Sequence, residues 1–306
     1  MTSRNYPQLG IEEFGEQLLR TGDLDPLYIA LFVMNLPSEQ LGKFLVSYTS
    51  FYSAGVACHM SEQTDRGFWE QMEVAAKNEV PAPHGGRWER GKERRHARGA
   101  QGLKMVTELR KRYPRPAAMV DYLTEPSSEE GDPDSENPCC QVTGERQLVF
   151  SDVVAKVKEH YLSGDWIAYK YLDLIDRVCG IPVTLTLDDA MYEEPRKAAL
   201  MIFDAVASSM KADWAVAESE DKKVHATVEY LLSAFRRFKA PPRYDRSVSY
   251  QEIETILCKF KSHVGGHYPL LNDIHEIRAG VEPWAAHSGT ARRFLEAMPT
   301  GEEIRS

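Results

Sequence analysis

The chain has 306 residues, of which 42% are hydrophobic and 27% are charged, as is typical of a soluble globular protein. Its longest unbroken apolar run, Leu27–Met34, is far too short to span a membrane, and the first residues contain no apolar signal region. The five cysteines are odd in number and include one close pair, Cys139 and Cys140, which argues against a disulfide framework or a zinc site and favours a reducing cytoplasm.

Apolar residues at helical spacing predict helices along most of the chain, in the order 26–34, 38–60, around Phe68 and Met72, 103–112, 150–161, 166–179, 195–210, 222–239, 248–260 and, near the end, "TARRFLEAM". Only "IPVTLTLDD", residues 181–189, alternates as a strand does, and it is short. No internal repeat, heptad run or phosphate-binding glycine loop is present. The predicted fold class is therefore all-α.

One acidic stretch divides the predicted helices into two groups. Residues 124–140 contain no Lys or Arg and are rich in Pro, Ser and acidic residues, as expected of a loop or lobe boundary. We therefore predict an N-terminal helical lobe (1–123), a variable acidic loop (124–147) and a C-terminal lobe (148–306).

The charge is distributed unevenly along the chain. The net charge of −9 by itself argues against a nucleic-acid-binding protein. Residues 87–112, however, contain ten Lys or Arg and three Asp or Glu, which gives this segment a local charge of +7. A protein with this pattern can meet a polyanion on one face.

Residues 150–189 have the layout of a helix-hairpin-helix, in which two helices flank the turn "LSGDW". Such an element directs backbone N–H groups at a DNA phosphate. The stretch resembles the hairpin of the DNA glycosylase superfamily, with Leu162, Gly164, Trp166 and Ala168 in matching places. Asp188 follows Gly164 by 24 residues, a spacing similar to that of the catalytic aspartate of that superfamily. Gly164 is expected to occupy a turn position that excludes a Cβ atom.

The alternative interpretation is a core helix with a solvated charged face. In that case Lys170–Asp173 and Asp173–Arg177 would be exposed ion pairs that contribute about 0.3–0.5 kcal/mol each.

Several stretches together resemble the bacteriophage amino acid:DNA transferases, also called α-glutamyl/putrescinyl thymine pyrophosphorylases. The resemblance covers most of residues 24–295 and is weakest at 124–147 and 211–225. It rests on the order of "YIALFVMNLPSEQLGKFLVSYTSFYSAGVACHMSE", "GGRWERGKERRHARGAQGLKMV", "RYPRPAAMVDYL", "VKEHYLSGDWIAYKYLDLIDRVCGIPV" and "GHYPLLNDIHEIR".

The resemblance implies a DNA glycosylase-like fold and a role in thymine hypermodification. The substrate would be double-stranded phage DNA that carries pyrophosphorylated 5-hydroxymethyluracil, and an amino acid or polyamine would replace the pyrophosphate. The expected place of action is the cytoplasm of the infected bacterium, without a membrane partner.

Candidate residues for this chemistry fall into three groups. Cations that could neutralise pyrophosphate or follow the DNA backbone are Arg87, Arg90, Lys92, Arg94, Arg95, His96 and Arg98, with Gly164 and Trp166 as hairpin contacts. Candidate catalytic residues are Asp188 or Asp189, as base or stabiliser of positive charge, and Lys170 on the charged helix face. "TLDDAMYEE" also has the pattern of a helix start, so either aspartate could serve only as a cap. Aromatic residues on which a flipped base could stack are Trp166, Trp88 and Tyr169, although the sequence favours a core position for each of them.

Two other functions fit the same residues. One is a glycosylase-like hydrolase that excises a modified base with Asp188 or Asp189, and the other is a non-catalytic helical DNA-binding protein. The sequence contains no ligand cluster that demands a metal, although scattered carboxylates could hold Mg²⁺ on the pyrophosphate.

Overall fold

The computed structural model describes residues 7–125, 148–207 and 219–302, and it confirms the prediction of an all-α fold. Two short strands, β1 (Leu148–Val149) and β2 (Val183–Thr184), pair in parallel, with Leu148 opposite Val183. The strand-like alternation in "IPVTLTLDD" thus corresponds to a strand of two residues. Among the described helices, none is long and apolar enough to cross a membrane.

The α-helices are, in chain order, α1 (Ile11–Thr21), α2 (Pro26–Met34), α3 (Ser38–Phe51), α4 (Ala54–Ser61), α5 (Asp65–Lys77), α6 (Gly99–Arg112), α7 (Ala118–Thr124), α8 (Phe150–Lys158), α9 (Asp165–Leu174), α10 (Leu187–Ala190), α11 (Glu193–Ala207), α12 (Glu220–Phe235), α13 (Tyr250–Val264), α14 (Asn272–Val281) and α15 (Gly289–Ala297). Shorter turns are 3-10 helical at Lys92–Arg94 and Glu282–Trp284 and π-helical at Ile175–Cys179.

The chain folds into two compact units, each built from separate parts of the sequence. The terminal unit contains the described residues 7–29, 185–207, 219–276 and 298–302, and the central unit contains 30–125, 148–184 and 277–297. Residues 30–123 and 148–184 therefore share one unit. The predicted division into three segments stays a prediction, since residues 126–147 of its acidic loop lie outside the described residues.

The terminal unit is a helical cluster in which α11 packs on α12 and α13, and α1 packs on both α12 and α13. Its core includes Phe14 and Phe235, which are fully buried. At Gly15 a Cβ atom would lie 2.3 Å from the ring of Phe235, so this crossing of α1 requires a residue without a side chain.

The central unit is organised around α3, which is buried along Phe44–Phe51 and packs on α4, α7 and α9. Tyr52 ends the helix in the left-handed conformation with φ 53°, and the Ser53 side chain then caps α4 by accepting from the N–H of Val56. The two helices are therefore joined by a tight corner, at which the backbone of the basic segment is also attached, through a hydrogen bond from Gly91 N to Phe51 O (3.0 Å).

The predicted hairpin corresponds to α8 and α9, which pack on each other and are joined by residues 159–164. Its glycine does not have the role expected for it. Gly164 is extended (φ −101°, ψ −170°), and no atom lies within 4 Å of the place where its Cβ would be. Leu162 instead has the left-handed conformation, with φ 63°. The expectation that this turn excludes a Cβ at position 164 was therefore wrong. Assignment of the element to the helix-hairpin-helix class stays a prediction.

The charged face of α9 is buried, which corrects the alternative of solvated ion pairs. Asp173 and Arg177 have side-chain exposures of 1% and 0%, and Arg177 Nη1 lies 3.5 Å from Asp173 Oδ1. Lys170 Nζ lies 3.8 Å from Asp173 Oδ2, and its side chain is 16% exposed. The helix continues past Leu174 as a π-helical turn and ends at Gly180, which is left-handed with φ 73°. Arg177 lies on that turn, where the backbone departs from α-helical spacing.

Candidate functional site

The basic loop, residues 87–98, lies in the central unit and separates its cations into two groups. Its chain is irregular except for one 3-10 turn, and α6 begins directly after it. Arg90 and Arg94 turn inward, whereas the exposed members are Arg87, Lys92, Arg95, His96 and Arg98. Of the predicted cations, Arg90 and Arg94 therefore anchor the loop, and the others lie at the protein surface.

Arg90 anchors the basic loop to the end of α5. Its guanidinium donates to the carbonyl oxygens of Ala97 (2.8 Å), Ala76 (3.2 Å) and Ala75. Burial lowers its pKa, and its charge is stabilised by carbonyls at a helix C-terminus, where a cation is favoured.

Arg94 joins the basic loop to the hairpin. Its Nη1 donates to the carbonyl oxygen of Leu162 (2.7 Å), its Nε donates to that of Ser50 (3.1 Å), and its Nη2 lies 3.0 Å from Met105 Sδ. Burial lowers its pKa. The two features that the sequence analysis singled out, the basic run and the turn "LSGDW", are thus in direct contact through this side chain.

The exposed cations of the basic loop are not neutralised by the described residues. Within this part of the chain, Arg87, Lys92, Arg95 and Arg98 have no ion pair with a carboxylate. By contrast, later cations of the same segment pair as Lys104–Glu108, Arg110–Glu73 and Arg112–Glu159. The positive field of this loop is therefore available to an anionic partner.

A small pocket adjoins Arg94 within the central unit, between α3, α6 and α9. Its lining residues are Thr49, Ser50, Arg94, Met105, Leu109, Met119, Tyr161, Ser163, Ile167 and Tyr171. Thr49 and Tyr171 share a hydrogen bond there, and burial raises the pKa of Tyr171 to about 12. The hydroxyl of Tyr171 therefore stays neutral at physiological pH.

The three aromatic candidates differ in accessibility. Trp88 and Tyr169 are buried, with 3% and 2% exposure, and Trp88 donates from its indole to Val80 O (3.1 Å). Trp166 is half-buried on α9 and packs edge-on against Tyr52, with the ring centroids 4.9 Å apart. Of the three, Trp166 is the one whose surface a substrate can reach.

The two candidate aspartates lie in the terminal unit, at the start of the four-residue helix α10. Asp189 and Thr186 form a capping box: the Asp189 carboxylate accepts from Thr186 N (2.9 Å), and Thr186 Oγ1 accepts from Asp189 N (3.2 Å). Asp188 is exposed, and its Oδ1 lies 3.3 Å from His225 Nε2. The cap alternative thus describes the contacts of Asp189, and catalysis by either residue stays a prediction.

Comparisons with known proteins settle the family. The sequence pattern described as "Amino acid:DNA transferase" matches residues 18–268, which is most of the chain. The chain belongs to the amino acid:DNA transferase family. A protein of Pseudomonas phage PaMx11 called glycinyltransferase is 44% identical over 97% of this chain and 98% of its own length. The putrescinyltransferase of Delftia phage PhiW-14 is 24% identical over 83% of this chain and 72% of its own length.

The family membership confirms the resemblance found in the sequence and the prediction of an enzyme that transfers an amino acid or amine onto DNA. Within the described parts of this transferase, no three or more His, Cys, Asp or Glu side chains are grouped so that they could hold a metal ion. A Mg²⁺ carried on the pyrophosphate stays a prediction.

One polar cluster of the transferase was missed by the sequence analysis. Glu89 Oε2 accepts from the indole Nε1 of Trp284 (3.0 Å), and Glu89 Oε1 lies 3.1 Å from His84 Nε2. His84 Nδ1 accepts from Gly86 N (3.2 Å). All of these residues belong to the central unit.

The buried end of this cluster is closely packed. Trp284 is fully buried, and the His84 ring packs edge-on against it at 4.6 Å. At Gly55 a Cβ atom would lie 2.3 Å from Trp284 Cδ1, so only glycine admits the indole at this place. In the sequence, Glu89 was visible only as one of three acids in a basic segment, because its partner Trp284 lies 195 residues away.

Proposed function

We propose that this transferase displaces pyrophosphate from 5-(pyrophosphoryloxymethyl)uracil in phage DNA and that glycine supplies the incoming amine. The observation that carries the choice of glycine is the 44% identity, over nearly the whole of both chains, to a phage protein called glycinyltransferase. Because the relatives are phage proteins, the proposed place of action is the cytoplasm of the infected bacterium.

The exposed cations of the basic loop support a role in handling the leaving group. Displacement builds negative charge on the pyrophosphate oxygens in the transition state, and preorganised cations stabilise that charge. Arg87, Lys92, Arg95 and Arg98 are exposed and have no carboxylate partner among the described residues. Arg90 and Arg94 hold the loop that carries them. We assign the exposed group to phosphate contact and the buried pair to positioning.

Base flipping forms part of the proposal because enzymes that react at a base generally take it out of the stack. Trp166 supports this step as the accessible aromatic residue at the start of α9, next to the turn that Arg94 anchors.

The test is incubation of the purified protein with DNA carrying the pyrophosphorylated base and an equimolar mixture of glycine, putrescine and glutamate. Digestion to nucleosides and mass spectrometry should show the glycine adduct, with one pyrophosphate released for each base modified. A putrescine or glutamate adduct would contradict the assignment of the amine. Abasic sites would support a glycosylase-like hydrolase, and unchanged DNA with salt-dependent binding would support a non-catalytic DNA-binding protein.

A further inference from the structure

The geometry points to Glu89 as the catalytic carboxylate that takes a proton from the incoming amine. This inference rests on the proposed function, since an amine that displaces pyrophosphate must attack in its neutral form. At neutral pH the amine is protonated, so a base near the reacting carbon is required.

The Glu89 carboxylate is held in one orientation by Trp284. Glu89 Oε2 accepts from Trp284 Nε1 at 3.0 Å, and Glu89 Oε1 lies 3.1 Å from His84 Nε2, so one oxygen is held by a hydrogen bond and the other lies close to an imidazole. Its side chain is nevertheless 35% exposed, and each carboxylate oxygen can accept a further hydrogen bond. A carboxylate that is held in place yet reachable from solvent suits a general base, whose efficiency depends on its position.

The chain on both sides of Glu89 is anchored. The neighbours of Glu89 in sequence are both anchored, Trp88 through its indole to Val80 O at 3.1 Å and Arg90 through its guanidinium to Ala97 O at 2.8 Å. The backbone of Glu89 is therefore fixed on both sides. Asp188, in comparison, has an 83% exposed side chain on a four-residue helix, and its contact with His225 is to a side chain that is itself 50% exposed.

Glu89 lies within the basic loop, between its exposed cations in sequence. Exposed Arg87 precedes it by two residues and exposed Lys92 follows it by three, so one short segment carries both the base and the cations. A substrate whose pyrophosphate is held by these cations has its 5-methylene carbon near the segment that carries the base.

The step balances as follows. The ammonium group of the amine gives one proton to a Glu89 oxygen, and the nitrogen lone pair forms the bond to the 5-methylene carbon. The bond from that carbon to the pyrophosphate oxygen breaks, and the bonding electron pair leaves with pyrophosphate. The product is a secondary amine that is protonated at neutral pH, and Glu89 returns its proton to water.

The competing explanation is purely structural: Glu89 could serve only to fasten the basic loop to Trp284. The two explanations differ in the expected pH dependence of the rate. If Glu89 is the base, its loss leaves only the fraction of amine that is already neutral in solution. The rate of the variant then rises about tenfold per pH unit up to the pKa of the amine. If Glu89 is only a structural clamp, the pH profile of the variant stays parallel to that of the wild type.

The experiment compares Glu89→Gln with the wild type and with Glu93→Gln, a matched control on an exposed residue of the same loop. Single-turnover release of pyrophosphate from pyrophosphorylated DNA in the presence of glycine is measured from pH 6.5 to about 9.5, together with DNA affinity. We expect the rate of Glu89→Gln at pH 7 to fall by about 10²–10⁴-fold, with near-normal affinity and the steep pH dependence described above. Glu93→Gln should match the wild type.

A pH profile of Glu89→Gln parallel to that of the wild type, with a normal or a reduced rate, would overturn the assignment. A wild type that releases no pyrophosphate would instead contradict the proposed function, so the two failures are distinguishable. If Glu89→Gln does not fold, Glu89→Asp decides the question. The aspartate side chain is one methylene group shorter, so its carboxylate is set back from the position of the glutamate carboxylate. We therefore expect a reduced rate with the wild-type pH profile. An undiminished rate would overturn the role of the Glu89 geometry.

Discussion

Arg94 donates a hydrogen bond from Nη1 to the carbonyl oxygen of Leu162 at 2.7 Å, and this contact joins the basic loop to the turn before α9. Its neighbour Arg95 is exposed, and its Nε lies near His96 at 3.3 Å. Two adjacent arginines of equal charge thus have different surroundings, which makes them a matched pair for separating phosphate contact from positioning.

We predict that Arg95→Ala makes the slope of log affinity for DNA against log salt less negative by about 0.9, the value for one lost phosphate contact, with little change in the free energy of unfolding. Arg94→Ala should leave the slope nearly unchanged and lower the free energy of unfolding by about 2–3 kcal/mol, because it leaves buried carbonyl oxygens without a donor. Binding isotherms at several salt concentrations and urea titrations test both. A less negative slope for Arg94→Ala together with an unchanged slope for Arg95→Ala would place Arg94, and not Arg95, at the phosphate.

Gly164→Val should fold normally, within about 0.5 kcal/mol of the wild type, because the residue is extended and its Cβ position is open. The control is Gly180→Val. Gly180 is left-handed with φ 73°, and a side chain there should cost about 1–2 kcal/mol. Thermal unfolding compares them. If Gly164→Val folds normally but binds DNA weakly, the open space at this turn belongs to the DNA interface.

Asp188→Asn and Asp189→Asn test the candidates that the sequence placed at the chemical centre. With Glu89 as the base, both should release pyrophosphate at close to the wild-type rate. Asp189→Ala should in addition lower the free energy of unfolding by about 1 kcal/mol through loss of the capping box, whereas Asp188→Ala should not. Loss of turnover in Asp188→Asn, with Glu89→Gln still active, would restore the original assignment.

Lys170 and Arg177 lie on the same face of the α9 region and should respond differently to substitution. Arg177→Met removes a positive charge that offsets the buried negative charge of Asp173. It should therefore lower the free energy of unfolding by about 3–5 kcal/mol. Lys170→Met should cost less, because the lysine is partly exposed and lies 3.8 Å from Asp173. A catalytic Lys170 would lose turnover without loss of stability, and single-turnover assays beside urea titrations make that distinction.

In the terminal unit, Asp23 is buried between Tyr268 and Ile274, and burial raises the pKa of its carboxyl from 3.8 to about 6. Between about pH 4 and pH 6, the Asp23 carboxyl is therefore protonated in the folded state and ionised in the unfolded chain. Stability from this group is present below pH 4 and is lost as the pH rises to 6. Relative to Asp23→Asn, the free energy of unfolding of the wild type should fall over this range by up to about 3 kcal/mol. Urea titrations at pH 4.5 and 7 measure the difference, and an unchanged difference would contradict the raised pKa.

The helices were predictable because apolar residues at helical spacing mark a buried face, as in Val153 and Val157 of α8. The charge of the basic loop was equally visible. Which of its arginines point inward was not predictable, because an irregular chain has no period that assigns side chains to faces. The carbonyls that bind Arg94 come from Ser50 and Leu162, which are 44 and 68 residues away.

The burial of Asp173 and Arg177 was missed for a related reason. Their spacing of four residues is the same for an exposed and a buried pair, and burial depends on what packs over the helix. Glu89 likewise differs from any other loop acid only through Trp284. In each case the sequence shows the residue, and a distant part of the chain determines its role.

The interleaved chain of the central unit has a consequence for biosynthesis. The ribosome makes residues 30–184, including the whole basic loop, before residues 185–276 of the terminal unit, and the segment 277–297 that completes the central unit is made only after those. Until then Trp284 is missing, and the Glu89 carboxylate lacks the donor that orders it. A nascent or prematurely terminated chain would thus carry the cations that attract DNA before it could order the proposed catalytic carboxylate. Such a chain would be able to bind DNA and unable to modify it.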